Sequence, residues 1–167
     1  YRIKISNELK EIQYTNSLNL IEVLHSENSE AMIDQNGKIH TVKIGLPGDP
    51  SGPEVEAMPI PKQLNYDMWL GSTPDVPYTL TGVHPIEGYG RPGWLRKEQF
   101  GAGMITGWGQ HHFDSAAWGM DTELTGPISV QATAEFPKSG FWDVHGDFMV
   151  KAEYANGITM YTSGGYT

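Results

Sequence analysis

The sequence lacks cysteine entirely, which excludes disulfide bonds and thiolate metal sites from this 167-residue chain. It also lacks any apolar run of the roughly 18 residues that a transmembrane helix needs. Basic residues are few: 11 Lys and Arg stand against 20 Asp and Glu, and the formal net charge is −9. Nucleic acids and anionic membranes are bound by basic surfaces, so the sequence predicts neither kind of partner.

The absence of cysteine leaves the cellular compartment open, since such a chain suits either redox environment. The first residues, from Tyr1, are polar and charged and have no signal-peptide pattern. We therefore expect a soluble chain of cytoplasmic or exported location. The chain starts without Met and stops at Thr167, just after a strand-like run. We interpret it as a truncated piece of a longer protein.

What is present is typical of one loop-rich globular domain, with 38% hydrophobic residues, 20 Gly and 11 Pro. Alternating apolar residues predict strands over 39–46, 128–135, 147–154 and 158–163, and Asn156-Gly157 predicts a hairpin turn. Helical patterns cover 61–71 and 106–120, with a looser one over 17–35. This order predicts an α+β fold with a largely antiparallel sheet.

The stretch 101–121 carries the strongest functional signal, because a glycine-rich turn leads into a helical pattern with His111, His112 and Asp114. His111 and Asp114 are three residues apart and share one helix face, as an acid/base pair or two metal ligands would. A histidine tied to a carboxylate for packing is the structural alternative. A third metal ligand is missing nearby, so we predict no metal site. His112 is expected to pack or face solvent, and Trp118 to lie in the core.

Other patterns are weaker. Gly88 to Gly93 has the spacing G-x-G-x-x-G but lacks the strand before it and the helix after it, so we predict no cofactor-binding residues. No serine lies in a nucleophile elbow, and no carboxylate pair stands out among the acidic residues. Six aromatic residues in the loops could wall a sugar site or fill a loop-rich core. They are Tyr66, Trp69, Tyr78, Tyr89, Trp94 and Trp108.

Several segments, in order, resemble one family. They are Asn36-Gly-Lys-Ile39 with Val42-Lys-Ile-Gly-Leu-Pro47, Pro61 through Tyr66-Asp-Met-Trp-Leu-Gly71, Pro77-Tyr78, Gly103-Met-Ile-Thr-Gly-Trp-Gly-Gln-His-His-Phe-Asp114, Ala116-Ala-Trp-Gly-Met120 and Gly126-Pro127. From about Asn36 to Thr167 the chain resembles the C-terminal domain of the Gfo/Idh/MocA family of oxidoreductases, and most strongly its large bacterial subgroup of dehydrogenases. The resemblance implies an open, mainly antiparallel sheet with helices on one face. It divides the chain into an atypical segment, 1–35, and a partial substrate and oligomerisation domain, 36–167.

The same resemblance implies a substrate domain for a sugar or polyol, in a protein whose NAD or NADP is held outside this chain. By position, His111 and Asp114 match the family's catalytic histidine and last acid, and a further aspartate of the motif is replaced by Gly107. We expect Trp108, His112, Tyr89 and Trp94 to contact the substrate, and the sheet to form a homo-oligomer. Without the cofactor domain and its lysine, the chain alone should be inactive. The alternatives are a non-catalytic carbohydrate-binding or assembly module, or an NAD-dependent glycosidase-type relative.

Overall fold

A five-stranded mixed sheet forms the centre of the molecule in a computed structural model, which describes residues 30–34, 36–48, 52, 54–84 and 93–164. Its strands are β1 (Glu30–Ile33), β2 (Ile39–Leu46), β3 (Ser129–Ala134), β4 (Phe148–Glu153) and β5 (Thr159–Gly164). The spatial order is β1-β2-β5-β4-β3. The β2–β5 pairing is parallel and the other pairings are antiparallel. The predicted α+β fold with an open, mainly antiparallel sheet is confirmed.

The helices are short, apart from one. They are α1 (Tyr66–Leu70), α2 (Leu80–Val83), a 3₁₀ turn (Gly93–Arg96), α3 (Met104–Gly107) and α4 (Gly109–Gly119). Helix α1 begins at Asn65, whose side chain accepts from the Met68 N–H at 3.0 Å, and ends at Gly71 with φ 62°. This is the stop predicted from the glycine, because glycine reaches positive φ without a Cβ clash.

The main core lies between α4 and one face of the sheet. Ala116 and Met120 from the helix side pack with Val42, Ile44 and Leu46 of β2 and with strands β4 and β5. At Gly109 the helix comes so close that an added Cβ would lie 3.4 Å from Leu46 Cδ1 and 2.8 Å from Phe113 Cε2. Glycine at this position therefore sets the distance between helix and sheet.

Two tight turns follow the predicted signals. At Asn36-Gly37, between β1 and β2, the Asp34 carboxylate accepts the N–H groups of Asn36 at 2.8 Å and Lys38 at 3.0 Å. At the Asn156-Gly157 hairpin the Tyr154 N–H donates to the Ile158 carbonyl at 2.9 Å. Both turns are local, and so the sequence was enough to predict them.

Two predictions about the elements were wrong. Residues 30–33 were expected to lie near the end of a helix over 17–35, but they form β1 and pair with β2. The other residues predicted for that helix, 17–29 and 35, lie outside the described residues, apart from residue 34. Strand β1 thus joins the sheet although it lies within the atypical segment 1–35. Trp118 is not a core residue but 51% exposed, because the buried stripe of α4 passes through Phe113 and Ala116 instead.

A second, smaller core lies away from the sheet. It is formed by Tyr66, Leu70, Tyr78 and Val83, with Trp69 and Phe100 packed against it. The rings are arranged edge-on or stacked: Tyr66 stacks on Trp69 and meets Tyr78 at 88°. Within the described ranges, none of the helices is long and apolar enough to cross a bilayer.

Candidate functional site

The histidine pair is presented by a tightly tied glycine turn. Gly103 has φ 81° and Ala102 has φ 53°, so the chain reverses direction before α3. The Gly103 N–H donates to the Leu95 carbonyl at 2.8 Å, and the Thr106 hydroxyl donates to the carbonyls of Gly101 and Gly103. These bonds fix where α3 begins, and therefore where α4 and its histidines lie.

His111 and His112 lie in the first turn of α4, and both contact the Trp108 indole. The two imidazole centroids are each 6.0 Å from the Trp108 ring, His111 edge-on at 67° and His112 tilted at 36°. His111 is exposed, His112 is half-buried and Trp108 is 36% exposed. The three predicted residues therefore form one surface, called here the His–Trp cluster, which is accessible to a ligand from solvent.

Asp114 lies one turn after His111 and is also exposed. In the described part of the chain, no hydrogen bond joins the Asp114 carboxylate to the His111 imidazole. The packing alternative, in which a buried carboxylate holds the histidine in place, is not what the structure describes. Both side chains are free of the core, as groups that meet a substrate must be.

Gly107, where the family motif has an aspartate, is the last residue of α3. Among the described residues beyond its chain neighbours and its own helix backbone, the atom nearest to a Cβ built there is Met104 Cε, at 3.7 Å. A side chain would therefore fit at Gly107. Gly107 thus supplies no carboxylate beside His111, although no contact with the described residues requires a glycine at this position.

Trp94, predicted with the same site, lies elsewhere. It lines a cavity of about 310 Å³ together with Trp69, Phe100 and Phe141. None of Trp108, His111, His112 and Asp114 lines that cavity. Tyr89, the remaining predicted contact, lies outside the described residues. The structure thus divides the predicted site into the His–Trp cluster and this aromatic cavity.

The aromatic cavity has one cationic edge. Lys97 lines it, 5.2 Å from the Phe141 ring, and its Nζ lies 2.7 Å from Asp143 Oδ2. Burial raises the pKa of Tyr66 in the opposite wall, with the nearby Tyr78 and Asp75 adding to the shift. That hydroxyl stays neutral and donates to the Pro77 carbonyl at 3.5 Å. The cavity is therefore largely apolar and uncharged inside.

The sequence did not predict the basic residue and two of the aromatic residues of this cavity, Lys97, Phe100 and Phe141. The first two follow Trp94 within one short segment, and this spacing of aromatic and basic residues was a usable signal. Phe141 could not be found in that way, because only the tertiary fold brings it to Lys97.

No group of three or more His, Asp or Glu side chains is placed to hold a metal ion among the residues that the structure describes. The described chain also has no strand followed by a glycine turn and a helix: β2 runs into the loop before α1, and the turn at Gly103 follows the 3₁₀ segment. These residues do not fit a nicotinamide dinucleotide.

Comparison with known proteins matches the chain to a family model. The family model described as "Oxidoreductase family, C-terminal alpha/beta domain", of the Gfo/Idh/MocA group, matches residues 51–166. No curated protein and no solved structure matches the chain. The matched region contains α1 to α4, the His–Trp cluster, the aromatic cavity and strands β3 to β5. The chain therefore belongs to the Gfo/Idh/MocA oxidoreductase family and carries its C-terminal α/β domain.

Proposed function

We propose that this chain is the substrate-binding domain of an NAD(P)-dependent oxidoreductase that acts on a sugar or a related polyol. The observation that carries the proposal is the exposed His–Trp cluster, held by a glycine turn within the region that the family model matches. An indole face beside an imidazole suits a ring that has apolar C–H faces and hydroxyl edges. A sugar or cyclic polyol has both.

In this proposal His111 moves a proton at the substrate hydroxyl, and Asp114 lies close enough along the helix to orient a second hydroxyl or the imidazole. The nicotinamide cofactor, NAD or NADP, is held by residues other than those described, which do not fit it. The chain by itself is then a binding domain without turnover. Catalysis by the isolated 167-residue chain with NAD and a polyol would contradict this assignment.

Titration of the chain with a panel of polyols and hexoses tests the binding. Calorimetry or tryptophan fluorescence, to which all five tryptophans contribute, would follow it. We expect His111→Ala to weaken binding at least about tenfold, as the loss of a hydrogen bond to ligand does. His40→Ala is the matched control, since His40 is an exposed histidine on β2. Equal loss in both variants, or in neither, would refute the role of His111.

The aromatic cavity favours a second candidate, a non-catalytic carbohydrate-binding or assembly module. Trp69 and Trp94 offer ring faces there, and His111 does not line it. Trp94→Ala distinguishes the two functions in the same titration. Binding that is lost with Trp94 and kept in His111→Ala favours the module, and the reverse favours the oxidoreductase domain.

The intact protein is also proposed to be a homo-oligomer formed through the sheet. The face of the sheet opposite α4 carries the exposed Met149 and Tyr161. An open face with large apolar side chains is a natural surface for a second copy. Sedimentation of a Tyr161→Lys variant tests this face, which we expect to dissociate the oligomer. An unchanged assembly would show that the face is not used.

A further inference from the structure

We infer that β3 is a second interaction site, at which two copies of the chain pair edge to edge and join their sheets into one. This interface is distinct from the open face of the sheet, and it does not depend on the proposed enzymatic function. It rests on the direction of the backbone groups of β3, on the exposure of residues 128–136 and on the lack of charge of residues 128–134.

The direction of the backbone groups follows from the hairpin next to β3. The Tyr154 N–H donates to the Ile158 carbonyl, and the pairs Ala152–Met160 and Val150–Thr162 continue that register. Even-numbered residues of β4 therefore bond to β5, and odd-numbered residues bond to β3. The 2.9 Å bond from the Glu135 N–H to the Asp147 carbonyl agrees, whereas the Ile128 N–H donates to the Glu153 carbonyl at 2.8 Å and departs from the regular register just before β3.

It follows that alternate residues of β3 point their N–H and C=O groups away from the sheet. In the register of β3 with β4, Lys151 bonds to Gln131 and Met149 to Thr133. The outward groups are thus those of Val130, Ala132 and Ala134. Their side chains lie on the face that α4 covers elsewhere in the sheet, yet all three are exposed.

The central residues of this edge lack the charged side chains and prolines by which many proteins protect such strands. Residues 128–134 contain no charged residue, no Pro and no Gly, although the whole chain carries 31 Asp, Glu, Lys and Arg (11 + 20). The large apolar side chains at its ends are exposed: Ile128 by 72% and Phe136 by 64%, with Val130 at 58%. An uncharged, exposed edge strand is a template for another strand.

The occupant is a second copy because the strand complements itself. An antiparallel pairing about a two-fold axis at Ala132 sets Ala132 opposite Ala132, Val130 opposite Ala134 and Ile128 opposite Phe136. Gln131 then meets Thr133, and Ser129 meets Glu135. No like charges meet, although each copy carries −9 overall. The outward residues all fall on hydrogen-bonded positions of this register, giving about six bonds between the copies.

Sedimentation of the full chain tests the pairing, with variants that separate the edge from the open face. Ala132→Lys sets two ammonium groups opposite each other at the two-fold axis, and it should raise the dimer dissociation constant by roughly 100-fold or more. Thr133→Lys is the matched control. The Thr133 side chain, next to Ala132 in the sequence, is also exposed but lies on the open face, so edge pairing should survive. Circular dichroism shows that both variants keep the fold.

Amide exchange gives a second readout that does not depend on a substitution. The amides of Val130, Ala132 and Ala134 should become protected as the concentration rises, while those of Gln131 and Thr133 are protected at all concentrations. A chain that stays monomeric at about 100 μM with these three amides exchanging freely overturns the proposal. So does an assembly that Thr133→Lys dissociates and Ala132→Lys leaves intact, since it would use the open face alone.

Discussion

Lys97 and Asp143 join two segments that are far apart in the sequence, with 2.7 Å between Nζ and Oδ2. The other oxygen of the same carboxylate accepts the Glu98 N–H at 2.8 Å. Asp143 therefore holds the chain at both the side chain and the backbone of the segment that forms the cationic edge of the aromatic cavity.

Removing that carboxylate should open the cavity edge. We expect Asp143→Ala to lower the free energy of unfolding by about 1–2 kcal/mol, because it leaves the Glu98 N–H without its partner and removes a partly exposed ion pair. Asp143→Asn, which retains one acceptor oxygen, should cost less than half as much. Urea unfolding measures both, and an equal loss would show that the charge alone matters.

Gly107→Asp tests the departure from the family motif. The side chain has room, and a non-glycine residue within a helical turn should be neutral or stabilising by a few tenths of a kcal/mol. The new carboxylate would lie one turn before His111 and could accept a hydrogen bond from an imidazole N–H of that residue. We expect the ¹⁵N shifts of the His111 ring to change toward a single tautomer.

The matching change Gly107→Asn keeps the size and removes the charge. If both variants alter the ring in the same way, the effect is steric and the motif's aspartate has no electrostatic role at this position.

Substitution of two glycines with positive φ measures the destabilisation caused by a steric clash separately from that caused by the left-handed backbone conformation. Gly140 has φ +98°, and a Cβ there would collide with the Gly52 carbonyl oxygen, whereas Gly157 has φ +87° and a Cβ there would meet no atom of the described residues within 4 Å. Gly157→Ala should cost about 1 kcal/mol for the left-handed conformation. Gly140→Ala should cost roughly 3 kcal/mol or more, since a backbone shift is added. Thermal unfolding gives both values, and similar losses would contradict the contact at Gly52.

Asp34 should make stability depend on pH in the acid range. The N–H groups of Lys38 and then Asn36 bond to its carboxylate and lower its pKa in the folded chain. The unfolded chain then takes up the proton first as the pH falls. The stabilisation is therefore complete above about pH 4 and is lost as the pH drops through the folded value.

Substituting Asp34 isolates that contribution. Asp34→Asn keeps an acceptor for the turn but cannot titrate. Its unfolding midpoint in urea should therefore change less between about pH 5 and about pH 2, which lie on either side of the ordinary carboxyl pKa of about 3.9, than that of the unmodified chain. An identical pH dependence in the two proteins would contradict the role of this carboxyl.

Features that depend on neighbours in sequence were predictable. Turn residues and the alternation of apolar and polar residues predict three features that the structure has. They are the Asn156-Gly157 hairpin, the end of α1 at Gly71 and the strand over 39–46. Features that depend on tertiary placement were not. Packing between distant segments decides three of them: the parallel pairing of β2 with β5, the exposure of Trp118 and the contact of Phe141 with Lys97.

The candidate site shows the same division. The contacts of His111 and His112 with Trp108 lie within five consecutive residues, although the sequence predicted that His112 would point away from His111. Trp94 belongs to a different cavity because the 3₁₀ turn directs it toward α1 and α2, which periodicity cannot show.

The position of β5 has a consequence for how the chain is made. In the described sheet it lies between β2 and β4, so it joins the β1–β2 pair to the β3–β4 pair, yet it is the last of the five to leave the ribosome. Until then β2 and β4 each present an unpaired edge, and the parallel β2–β5 contact spans most of the sequence. The sheet is therefore completed only once β5 has been synthesised, and until then the open edges of β2 and β4 are available for misassociation.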